Sequence, residues 1–299
     1  MITKTIGKVS FRLKEDRDLS WLENEGEVFS AIDSTGSGCL CLGIEKNGVK
    51  RFFKIAGVGT VEAEVDNEAA KDYLRKAVKI NTDIRHRNLC RLLGSYEKED
   101  LFVAVYEWNE GECLFDHWNF DRYDADKSLV PPRIRFRNLP KEKKLPWAEV
   151  LFDFMEEVIR QGYLAVDLYD SSFMYDFESG KFTICDIDLF RKAPLVNEMG
   201  EDYYGTKRLK APEENILGAV IDERTNVFTV GAIIHDMFTS FDEDNNSKRY
   251  EAGIFIPTEW EGSQLSEEAW GVLMKATALE PQNRFATIAQ FHEAWNKTL

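Results

Sequence analysis

The chain has 299 residues, 43% hydrophobic and 12% aromatic, enough apolar material for one or two cores and, by length, for about two lobes. Lys and Arg number 38 against 53 Asp and Glu, a net charge of −15; this repels phosphate backbones and anionic membrane faces, so neither nucleic acid nor a membrane is an expected partner. Residues 1–16 hold no long apolar run, no later segment approaches about 18 uncharged apolar residues, and Cys39, Cys41, Cys90, Cys113 and Cys185 lack CxxC spacing, so a cytoplasmic protein with reduced cysteines and no zinc is expected.

Residues 28–55 alternate short β-branched and apolar runs with Gly-containing breaks, which predicts an antiparallel meander turning near Asn47 and Gly48. Over residues 67–84, Ala70, Tyr73, Leu74, Ala77, Val78 and Ile84 fall near helical spacing, and residues 101–108 (LFVAVYEW) read as a buried strand. After Glu110 and Gly111 the pattern turns helical: residues 147–161, 227–238 and 267–279 are amphipathic. The stripe Leu151, Phe154, Met155 and Val158 and the tryptophans Trp118, Trp147, Trp260, Trp270 and Trp295 are expected in core or partly buried packing. Residues 121–146 hold Pro131, Pro132 and a basic run (Arg133, Arg135, Arg137, Lys141, Lys143, Lys144) without periodicity. They read as a surface insertion, either a solvated loop or a dock for an acidic partner. The layout is α+β: an extension (1–27), a small β-rich lobe with one main helix (28–109) and a larger, mainly helical lobe (110–299).

Residues 165–188, AVDLYDSSFMYDFESGKFTICDID, set Asp167 and Asp186 on a hairpin. Phosphoryl transfer needs one carboxylate to orient an acceptor hydroxyl and another to hold magnesium against nucleotide phosphates. Upstream, Gly36 and Gly38 lie in STGSG, either a phosphate-covering loop or a plain hairpin turn, and Lys54 stands between apolar Phe53 and Ile55, either an anchored lysine or a snorkelling one. In this order the motifs resemble the eukaryotic-type Ser/Thr protein kinase superfamily, from Gly36 to Trp295, as a divergent, bacterial-like member.

The resemblance implies a two-lobed protein kinase-like fold using ATP and magnesium. It implies Gly36 and Gly38 over the phosphates, with Cys41 in place of the third glycine, and Lys54 as the ATP anchor, paired with a helix carboxylate, Glu68 or Asp72. Glu107 and Asn109 would read adenine through their backbone at the hinge, Tyr106 would guard the back of the pocket, and Glu112 would reach ribose or substrate or simply face solvent. His86 to Gly94 matches a structural segment. Asp167 matches the catalytic base, Ser172 the position of a metal-binding Asn, and Asp186 the magnesium-binding Asp. Gly205 and Thr206 match the segment that seats a protein acceptor, and Ala211, Pro212 and Glu213 precede an expected ion pair of Glu213 with Arg284. Asn226 stands where the central helix usually carries Asp.

The departures define the alternatives. Ala165 and Val166 remove the His–Arg pair, so no arginine there meets an activation-segment phosphate. Tyr169 replaces the lysine aimed at the γ-phosphate, and Ser172 is a short neutral ligand for which Asp170 or Asp188 would compensate. An active Ser/Thr kinase, a nucleotide-binding pseudokinase that regulates a partner, and a small-molecule kinase all remain open; the Ala211–Pro212–Glu213 and Arg284 signature and Thr206 speak for a protein acceptor.

Overall fold

The computed structural model describes residues 1–240 and 242–299 and divides into two units, Met1–Arg85 with Leu89–Glu110, and His86–Asn88 with Gly111–Leu299.

In the first unit, β1 (Ile2–Ile6) and β2 (Val9–Leu13) form a hairpin, followed by the single-turn α1 (Leu22–Glu25). Then come β3 (Glu27–Ile32), β4 (Leu40–Lys46), β5 (Val49–Ala56), α2 (Asn67–Asp83), β6 (Leu92–Lys98) and β7 (Leu101–Glu107). The last five strands make an antiparallel sheet in the order β3-β4-β5-β7-β6. The β4–β5 hairpin turns on Asn47 and Gly48, both left-handed at φ 54° and 76°, a pairing whose twist suits the strands it joins. Strand alternation sorts side chains onto two faces. Phe53, Ile55, Leu40, Leu42 and Val103 pack with Phe11, Leu13, Leu19 and Leu22, while Cys41, Ala56, Ala104 and Tyr106 pack with Ala70, Leu74 and Ala77 of α2. The small residues of α2 let it lie close to the sheet, and Asp66 caps it by accepting from the Ala69 amide at 2.8 Å. Residues 1–27, expected as an extension, instead supply core residues to this unit, which corrects that reading.

In the second unit the elements are β8 (Glu112–Cys113), α3 (Phe120–Ala125), α4 (Pro132–Arg137), α5 (Lys141–Arg160), β9 (Tyr163–Leu164), β10 (Phe173–Tyr175), β11 (Phe182–Ile184), β12 (Arg191–Lys192), β13 (Leu195–Val196) and β14 (Val220–Ile221). They continue with α6 (Glu223–Phe238), α7 (Glu243–Ala252), α8 (Glu267–Ala276) and α9 (Ile288–Asn296). Helix α6 is the centre: every side chain from Thr225 to Phe238 is buried, and α5, α8 and α9 pack around it. A Cβ on Gly231 would stand 2.9 Å from that of Ala276, so glycine sets the approach of α6 to α8. The short sheet β11-β10-β8 begins at Gly111, where φ is +113° and a Cβ would lie 2.9 Å from the Asp176 amide nitrogen. Residues 86–88 serve this sheet, the Asn88 carbonyl accepting from the Ile184 amide at 2.6 Å and its side-chain amide donating to the Phe182 carbonyl at 2.8 Å.

The surface-insertion reading of residues 121–146 is corrected. The segment forms α3, α4 and the first turn of α5, and Arg133, Arg137 and Lys144 are buried. Prolines open α4 and precede α5, positions where a missing amide hydrogen costs nothing. Among the described residues no helix is long and apolar enough to cross a membrane.

Candidate functional site

In the first unit, Lys54 lies opposite Cys41 and Ala104 in register. It therefore points to the α2 face of the sheet, while Phe53 and Ile55 point to the other. Glu68 and Asp72 face solvent on α2, with side chains 81% and 66% exposed, and are taken by their helix neighbours Lys71 at 2.7 Å and Arg75 at 2.8 Å.

The 34–38 segment connects β3 to β4. The Gly38 amide donates to the Thr35 carbonyl at 3.1 Å, the Gly36 carbonyl accepts from the Glu64 amide at 3.0 Å, and the Thr35 hydroxyl donates to the Cys39 carbonyl at 2.6 Å. The Gly38 N–H is thus spent inside the turn. At the end of β7 the Glu107 amide donates to the Arg91 carbonyl at 2.9 Å, the Glu107 carbonyl accepts from the Asn109 side-chain amide at 3.2 Å, and its carboxylate pairs with Arg91 at 3.1 Å. Tyr106 is 4% exposed.

In the second unit the loop 165–172 is pinned by the central helix. The Asn226 side chain accepts from the Ala165 amide and donates to the Ala165 carbonyl, both at 2.8 Å; a neutral amide does in two directions what a carboxylate does in one. Two residues on, Asp167 has φ +60°, and Asp186 has φ +54°. Left-handed backbone is uncommon outside glycine and is held only where the surroundings over-determine it. Burial, reinforced by the Asp186 charge and opposed by Lys210, pushes the Asp167 carboxyl up to about 7.

Asp167 borders a small, half-open recess that it shares with Thr206, Lys210, Glu214 and Thr229. Sequence reading missed Lys210 and Glu214, although both flank the Ala211–Pro212–Glu213 motif. The Lys210 ammonium donates to the Tyr203 carbonyl and, at 3.3 Å, to that of Glu201. Burial lowers its pKa while Glu214 and Asp167 hold it up. Burial drives Glu214 up to about 8 against a hydrogen bond from the Ala211 amide. The recess therefore holds one buried cation beside two carboxyls that titrate near neutrality.

Ser172 is fully buried, its hydroxyl 3.5 Å from the Tyr169 amide. Burial first, then the Asp167 charge, raises the Tyr169 phenol. That side chain is neutral and brings no cation to the loop. Asp170, expected as a substitute metal ligand, is instead enclosed by Arg208 and by Arg133 at 3.3 Å. Glu213 and Arg284 form a buried two-pronged pair at 2.6 and 2.8 Å, with the Thr225 hydroxyl donating to Glu213 at 2.8 Å.

The Asp186 charge disfavours ionisation of Asp167, and a divalent cation would relieve that. Among the described residues no group of three or more His, Cys, Asp and Glu gathers as a metal cage. That donor set suits magnesium, which keeps waters and substrate phosphates among its ligands and asks for only one or two carboxylates.

No protein-family model matches the chain. Over 58% of its length it is 22% identical to human cyclin-dependent kinase-like 2, of which the match covers 32%, and the Pongo abelii protein of that name gives the same figures. Over 92% of its length it is 23% identical to a probable inactive receptor-like protein kinase of Arabidopsis thaliana, of which the match covers 58%. The chain thus spans between about a third and three fifths of the length of these relatives. At this distance the comparisons support a protein kinase-like relationship, with an inactive member among the relatives, for a chain whose first unit is sheet-rich and whose second is mainly helical.

Proposed function

We propose that this chain is an ATP- and magnesium-dependent protein kinase-like phosphotransferase acting on Ser or Thr hydroxyls. The observation that carries the reading is the Asp167 carboxyl, held in left-handed backbone and raised to about 7 beside Asp186, in a recess that also holds Thr206. A general base works best with a pKa near the working pH. When bound, the magnesium nucleotide supplies the phosphoryl group and neutralises its charge. Asp167 accepts the acceptor hydroxyl's proton, Asp186 with Ser172 beside it holds the metal, and Thr206 borders the acceptor's seat. Lys54 anchors phosphates under Gly36 and Gly38, while Glu107 and Asn109 border the adenine. Glu213 and Arg284 hold the acceptor segment in place. Glu68 is left out, its carboxylate being engaged with Lys71.

A second reading, a pseudokinase that binds nucleotide and regulates a partner, is favoured by neutral Tyr169, by Ser172 and by the Gly38 amide closed inside its own turn. Small-molecule phosphorylation is opposed by Thr206 and the Glu213–Arg284 pair. The deciding experiment follows phosphate transfer from ATP, with magnesium or manganese, to the chain itself and to generic protein acceptors, beside Asp167→Ala and a nucleotide-dependent melt. Transfer lost in Asp167→Ala supports the kinase. A nucleotide-induced rise in melting temperature without transfer supports the regulatory module, and neither response overturns both.

A further inference from the structure

The antiparallel pair of β13 and β14 sorts its side chains onto two faces. Leu195 stands opposite Ile221 and Val196 opposite Val220; residues directly opposite share a face, and successive ones alternate. Leu195 and Ile221 turn inward and pack with Val166, Leu189, Tyr203 and Tyr204. The outer face of such a pair ordinarily carries polar side chains. Here it carries Val196 and Val220, 49% and 61% exposed.

The apolar surface continues beyond the pair. Leu217, just ahead of β14, is 70% exposed, and Ile216 beside it and Met199, just past β13, are exposed as well. Buried Asn197 ties the two stretches together. Its backbone amide donates to the Ala219 carbonyl at 2.9 Å, and its carbonyl accepts from the Gly218 amide at 2.8 Å. Its side-chain oxygen accepts from the Met199 and Gly200 amides at 2.9 and 2.8 Å, and its side-chain nitrogen donates to the Gly200 and Glu214 carbonyls at 3.0 and 3.1 Å. A Cβ on Gly200 would stand 3.7 Å from that of Leu217. Single exposed apolar residues are ordinary, but a contiguous group on a well-tied backbone marks an interaction site.

The surrounding charges narrow the choice of partner. Glu198, Glu201 and Asp202 are exposed on the loop after Val196, whereas over residues 195–223 Lys207 is the exposed cation and Arg208 and Lys210 are buried. Arg224, next in the chain, is paired with Asp222. A second copy would bring the same acids and a net charge of −15 of its own, and like charges brought together oppose association. Five side chains also cover less than the ~800 Å² per partner that a stable interface buries.

We propose that this face of the second unit docks a short segment of another protein in which apolar anchors are flanked by lysines or arginines. The anchors lie on Val196, Val220 and Leu217, and the cations meet Glu198, Glu201 and Asp202. Apolar burial supplies most of the affinity, while the acids speed encounter and turn away acidic competitors. The proposal does not rest on phosphoryl transfer, because none of these eight side chains borders the Asp167 recess.

The test is fluorescence anisotropy of the full chain with three labelled peptides: one of leucine and lysine in an amphipathic pattern, a counterpart with glutamate for lysine, and a counterpart with serine for leucine. Saturable binding of the leucine–lysine peptide is expected, with each counterpart weaker by about tenfold or more. The double substitution Leu217→Ser and Val220→Ser should weaken binding to a similar degree without lowering the melting temperature, since both side chains already face water. Glu198→Gln combined with Glu201→Gln and Asp202→Asn should weaken it too and reduce its sensitivity to salt. A leucine–lysine peptide that binds no better than its serine counterpart, or equally well to the doubly substituted chain, shows diffuse attraction to an acidic protein and overturns the proposal, as does the absence of binding. Concentration-dependent dimerisation in sedimentation, abolished by the double substitution, would assign the face to a second copy and also overturn it.

Discussion

Replacing Asp167 by Asn should remove transfer activity while making the protein more stable, and the size of that gain follows from the site. The carboxyl has an ordinary pKa of 3.8 and is pushed up to about 7 in the folded chain by burial and by Asp186. Between these values the folded state holds a proton that the unfolded state has lost, so stability falls as pH rises through this window. The penalty is nil below about pH 4, grows by about 1.4 kcal/mol per pH unit and is complete above about pH 7, with a ceiling near 4 kcal/mol. Residual contact with water trims this to about 2–4 kcal/mol. Asn keeps the shape and never ionises. The variant should therefore gain about 5–15 °C in melting temperature at pH 8, taking about 2–4 °C per kcal/mol for a domain of this size, and nothing at pH 4. Loss of a general base should cost about 10²- to 10⁴-fold in transfer. Urea denaturation at pH 4, 6 and 8 reads the first effect, and ATP turnover the second. A variant no more stable than the parent at pH 8, or a gain equal at pH 4 and pH 8, would refute the reasoning.

Arg284→Met should destabilise the second unit by about 3–5 kcal/mol, because it strands the buried Glu213 carboxylate and takes the donor from the Ala278, Leu279 and Arg224 carbonyls. Urea melts check this, and adding Glu213→Gln should restore part of the loss. Tyr169→Lys returns a cation to the Asp167 loop and should raise phosphate transfer by about tenfold or more, since fixed charges facing the transferred group do most to lower the barrier in such sites; an unchanged rate with intact folding speaks against transfer there. His292 bridges Glu149 at 2.9 Å and Glu156 at 2.8 Å. Burial lowers its pKa, but the two acids outweigh this and raise it. Its contribution is complete below the ordinary value of 6.5 and is lost as pH rises past the folded value. His292→Gln should thus be less stable than the parent by about 1 kcal/mol at pH 5.5 and equal to it at pH 9, as measured by thermal melts.

Periodicity made the sheet and α2 legible, because apolar spacing is a local property and the core obeys it; residues 227–238 were legible as a helix but not as amphipathic, since α6 is buried on every side by the helices around it. The Asn47–Gly48 turn was legible for the same reason: both residues tolerate the left-handed backbone found there. Asp167 and Asp186 were legible as a spaced pair. The role of Arg133 and Arg137 was not, since Asp236, the carboxylate that draws Arg137 inward, lies 99 residues further along the chain. A basic run reads as solvated until its acids are located. Residues 1–27 were misjudged because β1 and β2 are short, and only Phe11 and Leu13 of these strands are fully buried. Glu68 was favoured on reach, but the phase of α2 turns it to water.

The three residues from His86 to Asn88 belong to the second unit although the chain on both sides of them belongs to the first. Severing the chain at Gly111 would therefore not yield two self-sufficient halves. The C-terminal piece would lose the tripeptide that hems β11, leaving the Ile184 amide and the Phe182 carbonyl bare on a strand margin. Such bare margins invite pairing with a second copy. Expressed alone, the helical piece should aggregate, and supplying residues 84–90 in trans, or relocating them to its N-terminus by circular permutation, should keep it monomeric.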